Sequence, residues 1–261
     1  MTLEYDLYDD AALYDRIVAP PAESLDFYLA EARAASGDVL ELACGTGRLT
    51  VPIALALAHE DRRVTGLDLA PAMLEAARRK AAVAGVTVEL TTGDMRHFAL
   101  GRRFGMIFVA FNSLLHLTSN DALSACFTRV RAHLTPGGTF AFDIFNPSIR
   151  MLARAPHERA TVMRIPDAEL GEIHVEAMSD YDAATQVNRG AYILSAPGRP
   201  EYLRAPVHLR SIFPQELPML LAANELELVA RYGDFEREPF TSESPRQVCL
   251  CAVSSGSRTG R

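Results

Sequence analysis

Four short stretches hold residues whose types and spacing suit small-molecule chemistry. "VLELACGTGRLT" (39–50) runs from an apolar segment into Ala43, Cys44, Gly45, Thr46 and Gly47. A turn so poor in side chains lets a ligand approach the backbone closely. Asp68 closes "VTGLD", 21 residues after Gly47, and Asp94 lies in "TTGDM". Each acid follows an apolar run, so each can accept hydrogen bonds at the tip of a strand. Further on, "FNSLLHL" (111–117) offers His116, a group able to exchange protons near neutral pH.

The glycine turn excludes two ligand types. A P-loop requires GxxxxGK[ST], but Arg48 and Leu49 follow Gly47. The dinucleotide fingerprint GxGxxG requires glycine at 43, 45 and 48, where this chain has Ala43, Gly45 and Arg48. A nucleoside ligand without a phosphate cradle remains. Asp68 suits the two hydroxyls of a ribose, and Asp94 suits an exocyclic amine of the base.

Other chemistries find little support. The cysteines, Cys44, Cys126, Cys249 and Cys251, form no CxxC pair and no His/Cys cluster with zinc spacing, so no metal is expected. Lys80 is the only lysine and sits in a basic run read as an exposed helical face, which argues against Schiff-base chemistry. With 33 acidic and 26 basic side chains the net charge is −7, and a nucleic-acid backbone is an unlikely partner. No apolar run reaches the ~20 residues of a membrane helix. The acidic opening, "MTLEYDLYDDAALYD", has no signal-peptide pattern, so a cytoplasmic protein is expected.

The elements that must position these residues alternate. Apolar runs at 38–43, 63–69, 86–94, 104–112 and 139–145 read as strands. Helical patterns lie between them, one with Pro71 in its first turn and Gly85 past its end, another capped by Ser119. Continuously apolar strands separated by helices imply an α/β fold with a parallel sheet covered on both faces. From 148 to 210 the pattern changes to alternating stretches that read as an antiparallel β insertion. A helix from Pro214 and two strands then return to the first pattern. In a parallel sheet, ligands bind beyond the carboxyl ends of the strands, where all four stretches fall.

These motifs together resemble the class I S-adenosylmethionine-dependent methyltransferases. "VLELACGTG" is similar to that family's glycine motif, "GLDLAPAMLEAAR" to its ribose segment, "TTGDM" to its adenine segment and "LTPGGTFAFDIFNP" to its fifth-strand signature. The resemblance covers about residues 38–146, with Ala43 standing where many members carry glycine. It implies a Rossmann-like, seven-stranded, mainly parallel sheet with a reversed last strand, plus the β insertion as a lid. The expected layout is an N-terminal helical cap (1–37), a cofactor-binding core (38–147 and 211–254), the insertion (148–210) and a disordered tail (255–261).

The cofactor implied is S-adenosylmethionine. Glu41 would orient the loop, while Ala43, Gly45 and Gly47 would lie beside the amino-acid portion. Asp68 would take the ribose, Leu69 would pack on adenine, and Asp94 and Met95 would contact the base. Phe111 would face the sulfonium. Asp68→Ala is expected to weaken cofactor binding while leaving the ligand-free fold nearly as stable.

On the acceptor side, Asn112 and His116 are the candidate catalytic residues, with His116 equally able to serve only as packing. Tyr14, Tyr192, His208 and Arg210 are the candidate acceptor-binding residues. "GDMRHFALGRRFGMIFVAFNSLLHL" is similar to a stretch of the aminosugar N-methyltransferases, which implies a small-molecule acceptor and N- over O-methylation. An RNA or protein methyltransferase and a non-catalytic cofactor-binding protein are the alternatives. The exposed insertion sheet leaves a homodimer open.

Overall fold

A computed structural model describes residues 3–254, so the expected disordered tail lies outside the described residues. The chain begins with strand β1 (Leu3–Glu4), a 3-10 turn at Leu7–Asp9, and helices α1 (Ala11–Ile17) and α2 (Ser24–Ala34). Strand β2 (Val39–Leu42), helix α3 (Thr50–Ala56), strand β3 (Val64–Asp68), helix α4 (Pro71–Ala84), strand β4 (Glu89–Thr92) and strand β5 (Phe104–Val109) follow. After a 3-10 turn at Ser113–His116 come helix α5 (Asn120–His133), strand β6 (Leu134–Phe145) and the short helix α6 (Ile149–Leu152). Four long strands are next: β7 (Arg159–Asp167), β8 (Gly171–Asp182), β9 (Val187–Ala196) and β10 (Arg199–Arg210). Helix α7 (Leu217–Ala222) and strands β11 (Leu226–Tyr232) and β12 (Arg246–Val253) complete the chain.

The main sheet has seven strands in the order β11-β12-β6-β5-β2-β3-β4. β12 alone runs against its neighbours, antiparallel to both β6 and β11, so the reversed last strand is present. Alternation within the central strands explains how both faces are buried. Leu40, Leu42, Ile107, Val109, Phe140 and Phe142 point to one side, where Leu123, Phe127 and Val130 of α5 and Leu217 and Leu221 of α7 meet them. Val39, Met106, Phe108 and Ala141 point to the other, against Phe27 and Tyr28 of α2 and Leu49 and Ile53 beside α3. Local signals end the helices where the residue types require. Ser119 accepts the Ala122 N–H as an N-cap, and Gly85 closes α4 at φ 67°.

Chain direction reverses at β2. From there the chain adds β3 and β4 on one side and later β5 and β6 on the other. The carboxyl ends of β2 and β5 therefore flank the crevice where such sheets take ligands.

The second sheet is ordered β1-β10-β9-β8-β7, antiparallel except that β1 pairs parallel with β10. Strand β7 lies inside the 148–210 region expected to be antiparallel, whereas β1 lies outside it. One face carries Ile173, Val175, Leu194 and Ala205, which pack against Leu7 and Ile17 of the N-terminal segment. That segment thus lies between the two sheets at the crevice end of the molecule.

Candidate functional site

The glycine loop leaves β2 through residues in left-handed backbone: Ala43 at φ 54°, Gly45 at 53° and Gly47 at 75°. The two glycines have different reasons. A Cβ on Gly47 would stand 3.0 Å from the Ala77 Cβ and 3.1 Å from Val51, so glycine lets α4 come close. A Cβ on Gly45 would meet no atom within 4 Å, so here glycine supplies the turn and leaves an open approach. Ala43 keeps its left-handed conformation at a cost of about 1 kcal/mol.

Glu41 lies beneath the loop, 3 % exposed, and accepts a short hydrogen bond from the Thr50 hydroxyl. Burial is the main cause that pushes its carboxyl up to about 8; the Asp68 charge adds to it and the Thr50 hydrogen bonds oppose it. Asp68 ends β3 and joins two loops. Its Oδ2 accepts the Gly45 N–H at 2.7 Å and its Oδ1 accepts the Ala70 N–H at 2.9 Å. Burial raises its pKa against the pull of these backbone donors. Each carboxylate oxygen keeps a free lone pair, enough for two ribose hydroxyls. Beside it, Leu69 is 67 % exposed, an apolar side chain in water at the place expected for a base.

Asp94 departs from expectation. Both of its oxygens hold the Arg96 guanidinium, Oδ1 also accepts the Arg96 N–H, and these bonds keep its carboxyl below the usual range. An exocyclic amine would have to share the carboxylate with Arg96, two residues along the same turn. Met95 is half-buried against the core.

Phe111 and Asn112 are consecutive left-handed residues, at φ 55° and 63°. They are held by Asp143, an acid inside apolar β6 with no exposed surface. Asp143 accepts the Phe111 N–H at 2.8 Å, the Tyr28 hydroxyl at 2.7 Å and Arg246 at 3.2 Å, and its backbone oxygen takes the Asn112 N–H. The Asn112 side-chain oxygen accepts the Phe145 N–H at 2.6 Å. That bond fixes the turn and leaves the Asn112 amide NH2 without a partner among the described residues. An acid within "FAFDIF" was the available signal for Asp143.

His116 ends the turn after β5. Its Nε2 lies 2.8 Å from the Tyr8 hydroxyl, and the rings meet edge to face with centroids 5.6 Å apart. Burial lowers its pKa, Asp6 opposes that effect and His208 reinforces it. Tyr5, Asp6, Tyr8, His116, Thr118 and His208 line a cavity of about 560 Å³. Tyr14 stands 5.8 Å from Tyr8 and beneath the Arg48 guanidinium. Burial chiefly pushes its phenol up to about 12, and Asp68 and Tyr192 act in the same direction. Tyr8 is raised by burial as well and feels Tyr14, Tyr192 and Asp68. These tyrosines thus link the Asp68 end of the crevice to the His116 cavity.

Arg210 does not join them. It is 4 % exposed, pairs with Glu216 and donates to the Asn120 side-chain oxygen at 2.7 Å. By this point β10 has run past the insertion into the core, so Arg210 fastens β10 to α5 and α7, and its assignment to the acceptor pocket is corrected.

His133 is buried, with Nδ1 donating to the Arg129 oxygen and Nε2 accepting the Leu100 N–H. One reading outside the crevice also changes. Lys80, read as solvated, contacts Asp15 and Thr46 of the glycine loop at 2.6 and 2.7 Å. Among the described residues no group of three or more His, Cys, Asp or Glu is placed to hold a metal ion, and no helix is long and apolar enough to cross a membrane.

Comparison with known proteins agrees with this geometry. Over 108 residues the chain is 40 % identical to a dTDP-3-amino-3,6-dideoxy-alpha-D-glucopyranose N,N-dimethyltransferase of Streptomyces fradiae, spanning 41 % of this chain but only 39 % of that relative. It is 29 % identical over 209 residues to a dTDP-3-amino-3,4,6-trideoxy-alpha-D-glucopyranose N,N-dimethyltransferase of Streptomyces venezuelae, covering 68 % and 82 % of the two chains. The structure superposes on the CcbJ methyltransferase of Streptomyces caelestis with a TM-score of 0.82 at 29 % identity, covering 96 % and 99 % of the two chains. A family model described as a methyltransferase domain matches residues 39–138. That match runs from the start of β2 through the glycine loop and both strand-end acids.

Proposed function

We propose that this chain transfers a methyl group from S-adenosylmethionine to a small-molecule acceptor, with nitrogen preferred over oxygen. The observation that carries the reading is the Asp68 bridge. One carboxylate fixes the open-faced loop at Gly45 and still offers lone pairs where a ribose would lie, with exposed Leu69 beside it. The cofactor supplies an electrophilic methyl on sulfur. The chain's residues bind it, orient the acceptor and exclude water, which suits an in-line displacement with dispersed charge.

The preference for nitrogen rests on what each acceptor requires. An amine needs only to arrive neutral, whereas a hydroxyl needs a strong base. His116 is a weaker base than an ordinary imidazole and fits the first task better. The relatives named as amino-sugar N,N-dimethyltransferases support the same choice. The N-terminal segment and residues 148–210 form the acceptor side, through Tyr8, Tyr192 and His208.

The test is transfer of labelled methyl from the cofactor to a panel of amino sugars and their hydroxyl analogues. Label in the amines and not in the analogues is expected. Label in RNA or in the hydroxyl analogues alone would overturn the reading.

A further inference from the structure

Lys80 is the single lysine among 26 basic side chains, so arginine serves everywhere else in the chain. Its place is specific. From α4 the side chain reaches the glycine loop, and Nζ donates to Asp15 Oδ2 at 2.6 Å and to Thr46 Oγ1 at 2.7 Å. Thr46 is buried and donates to Asp15 Oδ1 at 2.7 Å, and the Arg48 Nε donates to the same oxygen at 2.9 Å. One carboxylate on α1 therefore receives bonds from the glycine loop, from the residue that follows it and from α4. Arg48 adds bonds to the backbone oxygens of Val18 and Tyr14 and lies over the Tyr14 ring. Burial works against ionisation of Asp15, yet the bonds from Lys80, Thr46 and Arg48 outweigh it and its pKa is lowered.

We propose that Lys80 and Asp15 are positioning residues: they latch the glycine loop to α1, so that loop and N-terminal segment present one preformed surface to the cofactor. The site requires a compact cation. An ammonium can sit between two oxygens on different elements, whereas a planar guanidinium spreads its donors across a wider fork. Lys80 touches Thr46, and Thr46 lies between Gly45 and Gly47, so a change at Lys80 reaches the loop through one side chain. The inference rests on the methyltransferase reading, because it takes S-adenosylmethionine as the ligand the loop serves.

The experiment measures the dissociation constant of S-adenosylhomocysteine by calorimetry, with ligand-free melting recorded alongside. Lys80→Met should weaken binding tenfold or more and raise the cofactor KM, with the acceptor KM unchanged. Lys80→Arg should fail to restore affinity. Asp15→Asn should behave as Lys80→Met does, and the double variant should be little worse than either. Lys80→Cys provides a chemical control, since the four native cysteines are buried. Alkylation with 2-bromoethylamine rebuilds an ammonium at this position and should restore affinity, whereas iodoacetamide should not. That comparison also decides the matter if Lys80→Met does not fold. A wild-type protein that binds S-adenosylhomocysteine, with variants binding within twofold of it, overturns the latch and leaves the proposed function standing. Lower melting temperatures with unchanged affinity overturn it equally. A wild-type protein that does not bind at all removes the proposed function, and the latch with it.

Discussion

Asp68→Ala tests the crevice most directly. In the ligand-free protein the substitution strips the acceptor from two backbone donors, Gly45 N–H at 2.7 Å and Ala70 N–H at 2.9 Å. Hydrogen bonds to a charged acceptor contribute ~1.5–3 kcal/mol each, and an unmet buried donor costs a similar amount. Gly45 is only half-buried, so water can replace part of what is lost, and removal of a carboxylate disfavoured by burial offsets some more. The expected loss of stability is about 1–2 kcal/mol, a fall of roughly 3–6 °C in melting temperature for a chain of this size. This corrects the expectation that the fold would barely change, because the sequence does not show that Asp68 also braces the loop. With ligand, two ribose hydroxyls lose their acceptor as well. That is about 3 kcal/mol, on the order of a hundredfold in affinity. Calorimetry with S-adenosylhomocysteine reads the second effect and thermal melting the first. Asp68→Asn should fall between, since its amide meets one N–H with an oxygen and the other with a second donor. A variant that melts as predicted yet binds within twofold of wild type refutes the ribose role.

Further outcomes follow from other buried groups. Between the ordinary carboxyl pKa of 4.5 and about 8, Glu41 holds a proton in the folded chain that it loses on unfolding. Stability from this group therefore falls as pH rises through that window, by ~5 kcal/mol at most. Glu41→Gln should flatten the fall, so its advantage over wild type in urea should grow from pH 5 to pH 8.5. A constant difference would show that Glu41 is ionised in the folded state. Tyr28→Phe leaves the buried Asp143 one donor short and should cost about 1–3 kcal/mol by urea midpoint, with its Phe111 loop loosened. Ala43→Gly relieves a left-handed alanine and should gain about 0.5–1 kcal/mol in the same assay. Loss of stability there would mean that the methyl group packs favourably.

The parallel core was legible because its strands are buried on both faces and their apolar runs are unbroken, as in "FGMIFV". Helix ends were legible where a single residue decides them, as at Ser119 and Gly85. β7, "RATVMRIPD", lies at a sheet edge, and its alternation slips by one residue between Thr161 and Met163, where the register shifts. β1 has two residues and exists only through its partner. The glycine loop and Asp68 were readable from local sequence, since the turn and the strand-end acid are themselves local. The contacts that hold the site were not. Asp15 with Lys80 and Asp143 with Tyr28 join residues 65 and 115 positions apart, and pattern carries no information over that distance. Arg210 misled for the same reason, because it has a residue type suited to chemistry and partners fixed elsewhere.

The pairing of β1 with β10 bears on the order in which the molecule is assembled. Leu3 lies opposite Leu203, and the Tyr5 N–H donates to the Arg204 oxygen at 3.0 Å. Those contacts close a loop of about 200 residues, far longer than any closure inside the parallel core, and loops of that length form late. During synthesis the glycine loop, Asp68 and the strands around them can pack once α5 and β6 have emerged. Strand β1 has to wait for β10. Leu3 and Glu4 are thus made first and paired last, and a chain cut before residue 200 should lack Pro206, Val207 and His208 of the cavity that His116 lines.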